Sequence, residues 1–179
     1  MNTTTKRITV AAITGSVALG GLLLAGGTAN ATTPGMPSNT PCTPSDVNVS
    51  VAPDPTHSAG QEAFVITYTA TSPTTNCELV GTPTNVSFVA GGQGSSSNTT
   101  VTPDAPGSAP APVNLRDGQP AQSYILQSAD AAPTFSPDAL NMSLPTGPDG
   151  YSTTVAWPAN APLKGTTAEV TAVAPVQGS

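Results

Sequence analysis

Twenty prolines stand in this chain of 179 residues, and all of them lie after residue 31. A proline inside an α-helix removes a backbone hydrogen bond and clashes with the preceding turn, so long helices do not tolerate this density. No stretch shows a sustained apolar period of about 3.6 residues. Short runs rich in Val, Thr and aromatic residues recur instead between clusters of Gly, Pro and Asp. This pattern predicts an all-β chain, an immunoglobulin-like antiparallel β-sandwich of about seven to nine strands.

The clearest predicted strand is "QEAFVITYTATS", residues 61–72. Phe64, Ile66 and Tyr68 alternate along it and therefore share one face, which we expect to lie in the core. Further strands are predicted at "DVNVSVAP", at "TNVSFVAG" with Phe88 inward, and at "TTVTP", which we expect to return from a Gly/Ser hairpin loop, "GGQGSSSN".

The N-terminus has the layout of a secretory signal peptide. Lys6 and Arg7 form a basic start, and no charge follows from residue 8 to residue 27. Ala29 and Ala31 then occupy the positions that a signal peptidase reads, which predicts cleavage after Ala31. The alternative is an uncleaved N-terminal anchor, because the uncharged run is nearly long enough to span a bilayer.

Three segments follow from this boundary. Residues 1–31 form the signal peptide, residues 32–45 a flexible Thr/Pro-rich leader, and residues 46–179 the β-sandwich domain. A lipid-anchored bacterial protein would need a cysteine directly after the apolar core. The stretch there reads "LAGGTANA", so we expect no stable membrane anchor and a secreted or cell-wall-associated protein.

The charge balance limits the partners of the mature chain. All ten acidic residues lie after residue 31, and only Arg116 and Lys164 oppose them, so its net charge is two minus ten, or −8. Such a surface repels nucleic acid and anionic lipid, and both are therefore poor candidates as partners. We expect a monomer.

The two cysteines, Cys42 and Cys77, are expected to form a disulfide. Paired cysteines of an exported protein meet an oxidising environment, and only one intrachain pairing is open to them. Two thiols are too few for a zinc site. The bond would pin the end of the leader to a segment that directly follows the clearest strand.

Several short motifs occur in an order that is similar to a known family. An early cysteine precedes an alternating strand, "CELVGTP" has the form Cys-x-Leu-x-Gly-x-Pro, and "VNLRDGQPAQSYIL" reads as strand, turn and strand. The chain thereby resembles an uncharacterised family of exported actinobacterial proteins, often lipoproteins, over about residues 42–175. The resemblance implies an immunoglobulin-like domain of unknown function. It carries no catalytic or binding residues over to this chain.

Residues for catalysis or metal binding are sparse. His57 is the single histidine, with Asp54 and Glu62 near it in sequence, and a metal site needs three or four converging ligands. A serine nucleophile would need His57 as its base, and the chain has no Gly-x-Ser-x-Gly motif. A pair of carboxylates for hydrolysis would have to come from the same two acids or from Asp117, Asp138 or Asp149, most of which lie in Pro/Gly turns. We therefore predict no metal, no cofactor and no enzymatic activity.

Two aromatic residues are candidates for contact with a partner. Phe135 lies in an irregular stretch and Trp157 precedes a proline, so either side chain could anchor a partner if it were exposed. The sequence favours a secreted, non-enzymatic β-sandwich that binds a protein or glycan in or outside the actinobacterial cell envelope. The alternatives are a secreted hydrolase that uses loop carboxylates and a purely structural or antigenic exported protein.

Overall fold

The computed structural model describes residues 36–58, 60–91, 95–104, 109–147 and 150–176. The predicted signal peptide, with Ala29 and Ala31 at its cleavage site, lies outside these residues, as does Asp149. No helix within the described ranges is long and apolar enough to cross a membrane.

Every regular element of the described residues is a β-strand, which confirms the predicted all-β class. Fourteen strands are present there, and eight of them are four residues or shorter. Prolines and glycines interrupt the hydrogen-bond ladder, so the strands are more numerous and shorter than the about seven to nine predicted. In chain order they are β1 (Val47–Asp54), β2 (Gln61–Ala70), β3 (Asn76–Leu79), β4 (Thr84–Ala90), β5 (Ser95–Ser96), β6 (Thr100–Pro103), β7 (Val113–Arg116), β8 (Ala121–Ser128), β9 (Pro133–Phe135), β10 (Ala139–Ser143), β11 (Ser152–Ala156), β12 (Leu163–Lys164), β13 (Thr167–Val170) and β14 (Ala174–Pro175).

Two main sheets form a sandwich. The larger has the strand order β1-β2-β8-β13-β6, with β14 also paired to β8, and the smaller has the order β11-β10-β4-β5. Two short ladders, β12-β9 and β3-β7, complete the structure. All these pairings are antiparallel except β13 with β6, which is parallel. The predicted β-sandwich is thus confirmed, while its immunoglobulin-like topology stays a prediction.

One predicted pairing is wrong. The "TTVTP" segment was expected to return along the strand that ends at residue 90, but β5 pairs with β4 instead. The chain then crosses to the other sheet, where β6 lies parallel to β13, with Val101 opposite Ala168. A hairpin pattern in the sequence could not reveal this crossover, because the partner of β6 lies more than sixty residues downstream.

The core lies between the two sheets, as the alternation in β2 predicts. Phe64, Ile66 and Tyr68 are each fully buried. In the neighbouring strand, Ile125 lies opposite Phe64 and faces the core too. The ring of Trp157 joins the sheets, since its centroid lies 4.4 Å from Phe64 in the larger sheet and 5.1 Å from Phe88 in the smaller.

The predicted disulfide between Cys42 and Cys77 is present. It fixes residues 38–42, which we call the strap, along β3. The N–H of Cys42 donates to the carbonyl of Glu78 at 3.0 Å, and the N–H of Glu78 donates to the carbonyl of Thr40 at 2.8 Å. Both cysteine side chains are buried, so the disulfide anchors the strap to the core.

Candidate ligand-binding clefts

Trp157 was a candidate anchor for a partner on the condition that it is exposed, and the structure shows that it is buried. Only 5% of this residue is exposed, because its ring fills the space between the two sheets. Its indole Nε1–H donates to the carbonyl of Ala161 at 2.6 Å, which satisfies the one polar group that the ring buries. Trp157 is therefore a core residue with an edge at the surface.

That edge lines a surface recess of about 500 Å³, which we call the Trp157 cleft. Its polar groups include the carboxylate of Asp138 and the amide of Asn160, both on exposed residues. The backbone N–H of Gly91 donates to Asp138 Oδ2 at 2.7 Å, which holds this carboxylate in place.

Phe135, the second candidate anchor, is only partly exposed. It ends β9 as a partly buried residue and packs against the core. Phe135 also lines a second recess of about 240 Å³, which we call the Phe135 cleft. The other lining residues come from three separate stretches of chain: Ser96, Ser97, Asn98, Thr99, Thr134, Gly165 and Thr166.

The Phe135 cleft has an apolar patch bordered by neutral polar groups. None of the eight lining residues is charged. The hydroxyl of Thr134 donates to the carbonyl of Gly165 at 2.8 Å. The side chains of Asn98 and Thr166 are exposed and make no hydrogen bond within the described part of the protein. Because both side chains are exposed, a ligand can reach their polar groups.

Backbone hydrogen bonds bring the walls of the Phe135 cleft together. Gly165 turns the chain between β12 and β13 with φ +68, a conformation that favours glycine, and its N–H donates to the carbonyl of Ala132. The N–H of Thr100 then donates to the carbonyl of Thr166 at 2.9 Å. On the opposite wall, the N–H of Ser97 donates to the carbonyl of Phe88 at 2.9 Å.

His57 lies on the outer face of the larger sheet. Its ring packs 5.5 Å from that of Tyr124, and its Nδ1 lies 3.6 Å from Asp54 Oδ2. Hydrogen bonds from Thr56 hold the pKa of Asp54 below its usual value, with His57 as a lesser contributor. No group of three or more residues that could hold a metal ion occurs among the described residues.

Glu62 does not converge with His57 but forms an ion pair with Lys164 at 2.9 Å. Burial acts to raise the pKa of Glu62, but hydrogen bonds from Lys164 and Gln127 outweigh it and leave the pKa below its usual value. The buried Gln127 also accepts the N–H of Lys164, so the cluster fastens β12 to β8. The ion pair between Glu62 and Lys164 therefore helps to hold two strands together.

The remaining candidate carboxylates lie in different parts of the fold. Asp117 occupies the exposed turn between β7 and β8, where Gly118 has φ +69. Asp138 lies beside the Trp157 cleft, directly before β10. The sequence identified Phe135 and Trp157 but missed the polar residues around Phe135, since residues 96–99, 134–135 and 165–166 meet only in the folded chain.

Comparison with known proteins places most of the chain in one family. Residues 42–174 match the family model of a domain of unknown function, DUF4232. No curated protein matches the chain, and no solved structure matches it. The match begins at Cys42, the residue that anchors the strap.

Proposed function

The chain belongs to the DUF4232 family of domains of unknown function, and from this premise we propose that it is an exported, non-enzymatic β-sandwich that binds an extracellular protein or glycan. The observation that carries the proposal is the Phe135 cleft. It combines an aromatic residue with hydroxyl-bearing and amide-bearing residues that converge from three stretches of chain. Recesses with an apolar surface and a few placed polar groups are typical of ligand sites.

Export is supported by two independent features. The first 31 residues have a basic start, an uncharged apolar core and small residues at the cleavage position. The Cys42–Cys77 disulfide is typical of proteins that fold in an oxidising compartment. An actinobacterial envelope or the surrounding medium is the location that we propose for the mature protein.

Binding without catalysis is supported by the groups that a ligand would meet. The lining of the Phe135 cleft offers hydroxyls, an amide and apolar surface, but no acid, base or thiol. A serine or threonine hydroxyl is a weak nucleophile unless a neighbouring base removes its proton. His57, the one histidine, contacts Asp54 and Tyr124 instead.

The test compares ligand capture by matched variants. The purified protein is immobilised and exposed to culture filtrate and envelope extracts, and the retained material is assayed separately for protein and for carbohydrate. Asn98→Ala removes an exposed polar group of the cleft, and Asn48→Ala removes an equally exposed amide from β1 as the control. We expect wild type and the control to retain the same amount of material and the cleft variant to retain measurably less. Equal retention by all three proteins, or chemical conversion of the retained ligand, would contradict the proposal.

A further inference from the structure

We propose that the Phe135 cleft binds a neutral oligosaccharide, whose chain crosses the segment from β9 to β10 and reaches the Trp157 cleft. The inference rests on the proposed function, since it names the chemical class of the ligand for the same site. It is carried by the chemistry of the two linings and by their position on one continuous segment.

The first step concerns the match between a sugar ring and the Phe135 cleft. A sugar ring has weakly positive C–H groups on its face and hydroxyls around its edge. The negative face of an aromatic ring attracts such C–H groups, and Phe135 is the aromatic residue that lines the cleft. Hydroxyl groups both donate and accept hydrogen bonds, and the exposed Asn98 and Thr166 can do the same.

The second step concerns size. The Phe135 cleft, at about 240 Å³, is smaller than the about 300–1,000 Å³ of a typical site for a drug-sized ligand. It would hold a single sugar ring rather than a bulky peptide side chain with its backbone. A protein partner would instead favour exposed aromatic anchors, whereas Phe135 is partly buried and Trp157 is buried.

The third step extends the site to a second sugar unit. Phe135 lines one cleft and Ser136 lines the other, and consecutive Cα atoms are only about 3.8 Å apart. The two clefts therefore border one segment of backbone, and in this proposal a saccharide longer than one ring crosses that segment to reach the Trp157 cleft. There Asp138 and Asn160 offer planar groups with paired polar atoms, which can bind two adjacent hydroxyls.

The charge of the protein decides between neutral and anionic saccharides. No positive residue lines either cleft, and Asp138 contributes a carboxylate to the Trp157 cleft. After residue 31 the chain has ten acidic residues against Arg116 and Lys164. Lys164 is paired with Glu62. A uronate or phosphate polymer would be repelled at such a surface.

The experiment titrates the ¹⁵N-labelled purified protein with neutral hexasaccharides, namely cellohexaose, maltohexaose and mannohexaose, and with anionic hexagalacturonate. We expect at least one neutral probe to shift the backbone amides of residues 96–99, 134–138 and 165–166, and the anionic probe to shift none of them. Thr166→Ala and Asn98→Ala should each weaken binding about 2-fold to 12-fold, as expected for one lost hydrogen bond. Phe135→Leu, which keeps an apolar side chain but removes the aromatic face, should weaken it about 3-fold to 10-fold.

Matched controls keep the outcome unambiguous. Asn48→Ala and Tyr151→Leu change an exposed amide and an exposed aromatic residue that line neither cleft, and they should bind like wild type. Absence of binding to every neutral probe, shifts confined to other surfaces, or stronger binding of hexagalacturonate would each overturn the saccharide assignment. If the cleft variants still lose a captured protein ligand in that case, the proposed function stands and this inference alone fails. If they lose nothing, both fail.

Discussion

Replacing Cys42 and Cys77 together by alanine should lower the free energy of unfolding by about 4 kcal/mol. The two cysteines are 35 residues apart in sequence. A cross-link of this spacing restricts the unfolded chain, and its removal returns that conformational entropy to the unfolded state. For a single domain with a total stability of about 5–15 kcal/mol, the expected loss is a large fraction.

The melting temperature should fall accordingly. A change of 1 kcal/mol shifts the midpoint by about 2–4 °C in a domain near this size, so a fall of about 8–16 °C is expected. Cys42 and Cys77 are both buried, so the lost sulfur atoms also leave a small unfilled volume, which adds to the loss rather than offsetting it.

The loss should also be visible locally at the strap. The amide of Cys42 donates to Glu78, and the amide of Glu78 donates to Thr40. Without the disulfide, the strap can separate from β3 while the sandwich remains folded. Amide hydrogen exchange at these two positions should therefore accelerate more than exchange in the central strand β2.

The assay combines denaturant unfolding, calorimetry and hydrogen exchange on the oxidised wild type and the double variant. Met36→Ala is the matched control, because residue 36 is 85% exposed beside the strap and its replacement should change stability by less than about 0.5 kcal/mol. A loss below about 1 kcal/mol for the double variant, with unchanged exchange at Cys42 and Glu78, would refute the chain-entropy argument.

Three further changes test the packing and the charges. Tyr68→Phe should change stability by less than about 1 kcal/mol in denaturant unfolding, because the buried Tyr68 hydroxyl lies near the buried Ser123 hydroxyl without a well-formed hydrogen bond. A loss of more than that amount would show that the two hydroxyls are bonded. Gly150→Ala should lower stability by about 1–3 kcal/mol, since the new methyl group would collide with the carbonyl oxygen of Leu144, and an unchanged midpoint would show that the turn can yield. The pKa of Glu62 is lowered in the fold, where burial is outweighed by Lys164 and other donors, so its contribution to stability is present above its unfolded pKa and is lost as the pH falls through its folded pKa. Glu62→Gln should therefore flatten part of the fall in unfolding free energy below about pH 4.5, and an unchanged pH profile would contradict this.

The sequence alone determined the features that depend on the local alternation of apolar residues and on the numbers of prolines and cysteines. The prolines excluded long helices. The alternation of Phe64, Ile66 and Tyr68 identified a core-facing strand, because successive side chains of a strand point to opposite faces. With two cysteines in the chain, the Cys42–Cys77 pairing followed from their number.

Only the tertiary structure decided how distant segments meet. The residues next to Trp157 in the sequence do not indicate whether its side chain is exposed or buried. Its ring is buried because it packs against Phe64 and Phe88, which come from opposite sheets. The crossing of β6 to β13 and the assembly of the Phe135 cleft likewise join segments far apart in the chain. Local propensity has no information about such contacts, because they are set by the packing of complete sheets. The candidate site is therefore a property of the fold, although its aromatic centre was visible in the sequence.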